Sequence, residues 1–74
     1  MSYNYSKLKG KIKEVLDTQE KYAEMLNLST TSINNKLNNK TPFSQDEIAK
    51  SIKLLNIDPL EVQQYFFTQK VEKN

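Results

Sequence analysis

The sequence predicts a single all-α domain, and three observations lead to that class. Only one Gly and two Pro interrupt the 74 residues, so turns are few, and helices, which close their backbone hydrogen bonds locally, are favoured. Hydrophobic residues make up 36% of the chain, enough for one small core near the lower size limit of a self-sufficient domain. Thr18, Ser29, Ser44 and Asp58 each precede a stretch of helical apolar spacing, where their side-chain oxygens can cap a first turn.

Taken in order, residues 1–6 have no clear period and read as a short arm. From Tyr5 to Asp17 two patterns compete. Lys7-Leu8-Lys9-Gly10-Lys11-Ile12-Lys13 alternates like a half-buried strand, whereas Tyr5, Leu8, Ile12, Val15 and Leu16 share one helical face. The helical reading covers more residues and no partner strand follows, so helix is expected. Lys7 and Lys11 on one flank, Lys9 and Lys13 on the other, read as solvated. Gly10 costs such a helix about 1 kcal/mol relative to Ala, which suggests a close approach there.

The stretch Thr18–Lys40 is expected to form two short helices joined at Asn27-Leu28-Ser29. Tyr22, Ala23 and Leu26 supply the inner stripe of one, with Met25 at its edge; Ile33 and Leu37 point inward from the other. Asn27 suits the left-handed residue that ends a helix. After a loop holding Thr41-Pro42-Phe43, Ser44 and Glu47 form a capping-box pattern. Ile48, Ala49, Ile52 and Leu55 are the expected buried face of that fourth helix, and Asn56 its end. Asp58-Pro59 starts a fifth helix, Pro at the first position where its missing N–H costs nothing, and Glu61 suits the positive end of its dipole. Leu60, Val62, Tyr65, Phe66 and Phe67 are too many large apolar groups for one stripe of so short a helix. Either the core takes them all or some meet another chain; Tyr65, Phe66, Phe67 and Val71 are the candidate dimer or partner interface. Tyr65, Phe67, Gln69 and Val71 also alternate, so a short strand in the tail (residues 67–74), pairing across a dimer, is an alternative.

Several function classes fall away. With no Cys and no His, a disulfide framework, a thiolate zinc site and Ser-His or Cys-His pairs are excluded within this chain. Neither a nucleophile–base pair nor a metal-ligand cluster stands out, so no catalysis and no cofactor is expected. Asp46 and Glu47 are adjacent carboxylates better explained by capping. No apolar run approaches the ~20 residues of a membrane span, and MSYNYSKLK lacks a signal-peptide core, so a cytoplasmic location is expected. The net charge is +2, but residues 1–40 hold seven Lys against four acids, and Met25 to Gln45 contains no acid at all. Such a window suits a polyanion, although every basic residue is Lys and bidentate guanidinium recognition is absent.

Thr18-Gln19-Glu20 followed by Ala23, Leu26, Leu28-Ser29 and Ile33 resembles the Cro and phage-repressor type of helix-turn-helix, whose core here would be residues 18–37. Asn38-Asn39-Lys40 and Leu54-Leu55-Asn56-Ile57-Asp58-Pro59 resemble that family's loop and its link from fourth to fifth helix. Tyr5-Ser6-Lys7-Leu8-Lys9-Gly10 and Tyr65-Phe66-Phe67-Thr68 look like the two ends of small phage-encoded Cro-like regulators. The resemblance runs from about Leu8 to Phe66. Asn27 and Asn39 depart from it by standing where Gly is usual, and Lys36-Leu37 shifts the buried position by one residue.

The resemblance implies a five-helix helix-turn-helix domain, a homodimer on operator DNA, and a part in the choice between lytic and lysogenic growth. By matching positions, Thr30, Thr31 and Asn35 would read bases, with Asn34 and Lys36 nearby. Asn can bond both atoms of an adenine edge, Thr offers a hydroxyl and a methyl, and Lys reaches guanine acceptors. The plainer reading is a solvated surface helix, against which the weak helix propensity of Ser, Thr and Asn counts. Gln19, Ser29, Asn38 and Lys40 are expected at phosphates. Some small phage regulators of this shape instead act as antirepressors that bind the phage's main repressor protein, through the helix-turn-helix surface or the C-terminal aromatics. The modest charge and the missing Arg leave room for that alternative.

Overall fold

The computed structural model describes residues 2–70. It is all-α, with five helices as expected: α1 Ser6–Leu16, α2 Gln19–Met25, α3 Thr30–Leu37, α4 Gln45–Leu54 and, after a 3-10 turn at Pro59–Glu61, α5 Val62–Phe66. Among the described residues no helix is long and apolar enough to cross a membrane.

The helical spacing prevails over the alternating pattern in α1. Tyr5, Leu8 and Ile12 are buried and Leu16 is half-buried. Val15 departs from the expected face, with 43% of its surface exposed, because it sits at the edge of a stripe whose centre is held by Leu8 and Ile12. Lys7 departs too: its ammonium donates to Gln64 Oε1 and lies 4.8 Å from the centre of the Tyr65 ring, tying α1 to α5. Gly10 has no close neighbour, since a Cβ built on it would meet nothing within 4 Å. Its helical cost therefore has no compensating contact, and Gly10→Ala is expected to raise stability by about 1 kcal/mol in urea unfolding. A destabilised Gly10→Ala protein would mean that the site is more crowded than its surroundings indicate.

Every predicted cap forms. The Lys21 N–H donates to Thr18 Oγ1 (3.1 Å), the Ser32 N–H to Ser29 Oγ (3.1 Å) and the Leu60 N–H to Asp58 Oδ1 (2.9 Å). Ser44 and Glu47 close the reciprocal box, Glu47 N–H to Ser44 Oγ and Ser44 N–H to Glu47 Oε1. At the other ends, α2, α3 and α4 stop in the same way. Asn27, Asn39 and Asn56 adopt φ of 60°, 64° and 54°. The next amide in each case (Leu28, Lys40, Ile57) donates back to Ala23, Asn35 and Ile52 respectively. This is the Schellman arrangement, with Asn at the left-handed position that glycine usually fills. A chain with one Gly needs a substitute there, and the short Asn side chain tolerates that conformation best.

The core joins Tyr5, Leu8, Ile12, Tyr22, Ala23, Leu26, Ile33, Leu37, Leu55, Ile57, Tyr65 and Phe66. Two further residues that support it are not apparent from apolar spacing. Ser51 is fully buried; it donates to the Glu47 carbonyl (2.7 Å) and its oxygen lies 2.6 Å from the Tyr22 hydroxyl, joining α4 to α2. Phe43, in the α3–α4 loop, packs edge-on between Tyr5 and Phe66, with ring centres 5.5 and 5.4 Å away. On α4, Ile48 and Ile52 are half-buried, but Ala49, expected inside, is exposed, because Ser51 takes the inward position.

The arm and the tail meet. Tyr3 bridges Gln69 in antiparallel fashion, with Asn4 N–H donating to Thr68 O (2.7 Å) and Lys70 N–H to Ser2 O (3.1 Å). Of the alternating stretch, Tyr65 thus belongs to α5 and Gln69 pairs within the chain, with its own arm. Tyr65 and Phe66 are buried in the protein's own core, while Leu60 is 90% and Phe67 44% exposed. Val71 lies outside the described residues.

Candidate partner interface on the third helix

The α2–turn–α3 unit presents one polar surface. Its inner side is fixed by Ala23, Leu26 and Ile33, all buried. Leu28, expected buried, is half-buried in the turn. Helical spacing then turns Thr30, Thr31 and Asn34 outward, where they are exposed, and leaves Asn35 half-buried. Ser29 is exposed, but its oxygen is engaged by Ser32, whose N–H donates to it at 3.1 Å. Asn38 and Lys40 are exposed just beyond α3, and Gln19 is half-buried at the start of α2.

Lys36 stands apart from this surface. Its ammonium lies 3.0 Å from Glu47 Oε1, donates to the Pro42 carbonyl at 2.9 Å and sits 5.9 Å from the centre of the Phe43 ring. Spent on the loop and on α4, it does not reach outward for a base. Burial raises the Glu47 carboxyl, but the Ser44 N–H and the Lys36 ammonium outweigh it and leave the group below its ordinary range. One of the two lysines in the acid-free window is thereby paired with an acid from outside it. The cleft at the start of α3 is also acidic, since Glu20 and Glu24 line it beside Asn27, Ser29 and Thr30. The outward surface of α3 therefore offers amides and hydroxyls next to two carboxylates, with Lys40 at its far end. Such a surface exchanges hydrogen bonds readily but does little to attract phosphate.

Comparison with known proteins places this architecture. A family model described as a protein of unknown function, DUF739, matches residues 1–69. The chain belongs to the DUF739 family. Among solved structures, the DUF739 chain is similar to the solution structure of the modulator of repression of the temperate bacteriophage TP901-1 from Lactococcus lactis. The two are 42% identical, the match covers 97% of each chain, and the TM-score is 0.78. No curated protein matches.

In the DUF739 fold the C-terminal candidates separate. Tyr65 and Phe66 face inward, and Phe67 offers part of one ring, whose remainder packs edge-on against Tyr3 at 6.0 Å. The Asn39 side chain, singled out in the sequence only for its backbone, bonds both the N–H and the carbonyl of Tyr3. An amide in a loop has many potential partners, and spacing along the chain gives no sign of which one it meets.

Proposed function

We propose that this phage-type regulator acts as a modulator of repression by binding a repressor protein through the outward surface of α3. The observation that supports this most is the 42% identity, over 97% of both chains, to a protein that is itself a modulator of repression. The surface chemistry agrees. Thr30, Thr31 and Asn34 can exchange hydrogen bonds with a protein surface, and Glu20 and Glu24 beside them favour a basic partner such as the DNA-binding surface of a repressor. Occupying that surface would compete with operator DNA for it. The chain's own affinity for DNA is expected to be weak, because Lys36 is paired with Glu47 and every basic residue is Lys.

The second reading, direct operator binding by a homodimer through Thr30, Thr31 and Asn35, draws on the acid-free window from Met25 to Gln45. A gel shift on the DNA flanking the gene, with and without the neighbouring repressor, separates the two. Release or alteration of the repressor's shift, with none from the chain alone, is the expected result. A shift by the chain alone that weakens steeply with salt would support the operator reading instead. In the same assay, Thr31→Ala combined with Asn34→Ala is expected to lose about 1–3 kcal/mol of repressor binding with the melting temperature little changed. Full binding by the double variant would move the interface off α3.

A further inference from the structure

The terminal ribbon and the end of α3 meet at one side chain. In the antiparallel pairing, Tyr3 stands opposite Gln69 while Asn4 and Lys70 donate the flanking bonds, so the N–H and carbonyl of Tyr3 point away from the tail. Both are taken by Asn39. The Tyr3 N–H donates to Asn39 Oδ1 at 2.8 Å, and Asn39 Nδ2 donates to the Tyr3 carbonyl at 2.9 Å. The carboxamide offers an acceptor and a donor much as a peptide group does, and it completes the second edge of the arm.

Asn39 is also the left-handed residue that ends α3, at φ 64°. Its backbone thus stops the helix while its side chain fastens the stopped end to the clasped termini. A glycine would satisfy the turn with less strain; the carboxamide is what reaches Tyr3. A groove of about 330 Å³ opens beside this loop, among Asn39, Lys40, Pro42, Tyr5, Phe66 and Phe67.

We propose that Asn39 is a positioning residue for the partner interface: by holding the α3–α4 loop to the arm, it presents Asn38 and Lys40 in fixed register with Thr31 and Asn34. The proposal rests on the reading of a repressor-binding surface on α3. Asn39 bonds the arm and touches no partner. Its contribution lies in pre-organisation, which lowers the ordering cost of binding.

Asn39→Gly is the informative variant, because it keeps the left-handed turn and removes only the carboxamide. Titration calorimetry against the purified neighbouring repressor should show an affinity reduced about tenfold. The melting temperature should stay within a few degrees, and hydrogen exchange at the Asn4 and Lys70 amides should accelerate. Asn39→Asp keeps the acceptor for the Tyr3 N–H but sets a carboxylate oxygen against its carbonyl, and should fall between Gly and wild type. Unchanged affinity in Asn39→Gly would overturn the proposal, as would a large fall in melting temperature matching the loss of binding, which would make Asn39 merely structural. If the wild-type chain binds no repressor, the repressor reading fails and this positioning role falls with it. Failure of the positioning role alone would leave wild-type binding intact.

Discussion

Phe66→Ala is expected to destabilise the protein by about 3–5 kcal/mol in urea unfolding followed by circular dichroism. Domains of this kind have only about 5–15 kcal/mol in total, and at the lower end of that range the variant would sit near its unfolding midpoint. Phe66 is 2% exposed, and Phe43, its edge-on neighbour, in turn carries Tyr5 at the start of α1. Removing the Phe66 ring therefore leaves a cavity in a cluster joining both ends of the chain, and a small domain has little other core with which to fill it. The adjacent Phe67 should behave differently. It is 44% exposed and contacts Tyr3 by one edge, so Phe67→Ser should cost about 1 kcal/mol or less. Equal costs at the two positions would contradict the assignment of Phe66 to the core and Phe67 to its margin.

Ser51→Ala should cost about 1–3 kcal/mol, and more than Tyr22→Phe, although each removes a single hydroxyl oxygen. The order follows from the direction of the bonds. Ser51 Oγ gives its one proton to the Glu47 carbonyl, so the Tyr22 hydroxyl must be the donor to Ser51. Ser51→Ala strands a phenol hydroxyl in the core, because Tyr22 is fully buried. Tyr22→Phe leaves Ser51 still bonded to Glu47 and should cost about 1 kcal/mol. Thermal unfolding of the two variants side by side gives the comparison, and the reverse order would mean that the hydroxyl finds another partner. The phenol also predicts a pH dependence. Burial pushes its pKa up to about 12 from an ordinary 10.0. A pKa raised in the folded state gives stability that is complete below the unfolded value and is lost as pH rises through the folded one. Tyr22 should therefore promote unfolding between about pH 10 and pH 12, and Tyr22→Phe should unfold at a higher pH than wild type in an alkaline titration.

Much of this architecture can be read directly along the chain. Caps at Thr18, Ser29, Ser44 and Asp58, the Asn residues that close α2, α3 and α4, and the inward stripes of Tyr22, Ala23, Leu26, Ile33 and Leu37 all depend on neighbours within one or two turns. Helical periodicity and end chemistry are local, and local rules decide them. The same rules place Thr30, Thr31 and Asn34 outward.

Contacts between residues far apart in the chain needed the tertiary structure. Lys36 has the sequence setting of an outward cation, yet Glu47 and the Pro42 carbonyl draw it inward. Ser51 looks like a surface residue until the Tyr22 hydroxyl is brought to it across 29 positions. Gly10 suggested a close approach and has none. The alternating tail suggested a second chain, and its described part pairs with the protein's own arm. A flexible polar or charged side chain can satisfy its hydrogen bonds with any group the fold brings within reach, so its partner is set by topology. By itself the sequence determined the helices, their ends and the outward row on α3. Only the tertiary structure decided that this row lacks the Lys36 charge, has Glu20 and Glu24 beside it and is braced at its far end by Asn39.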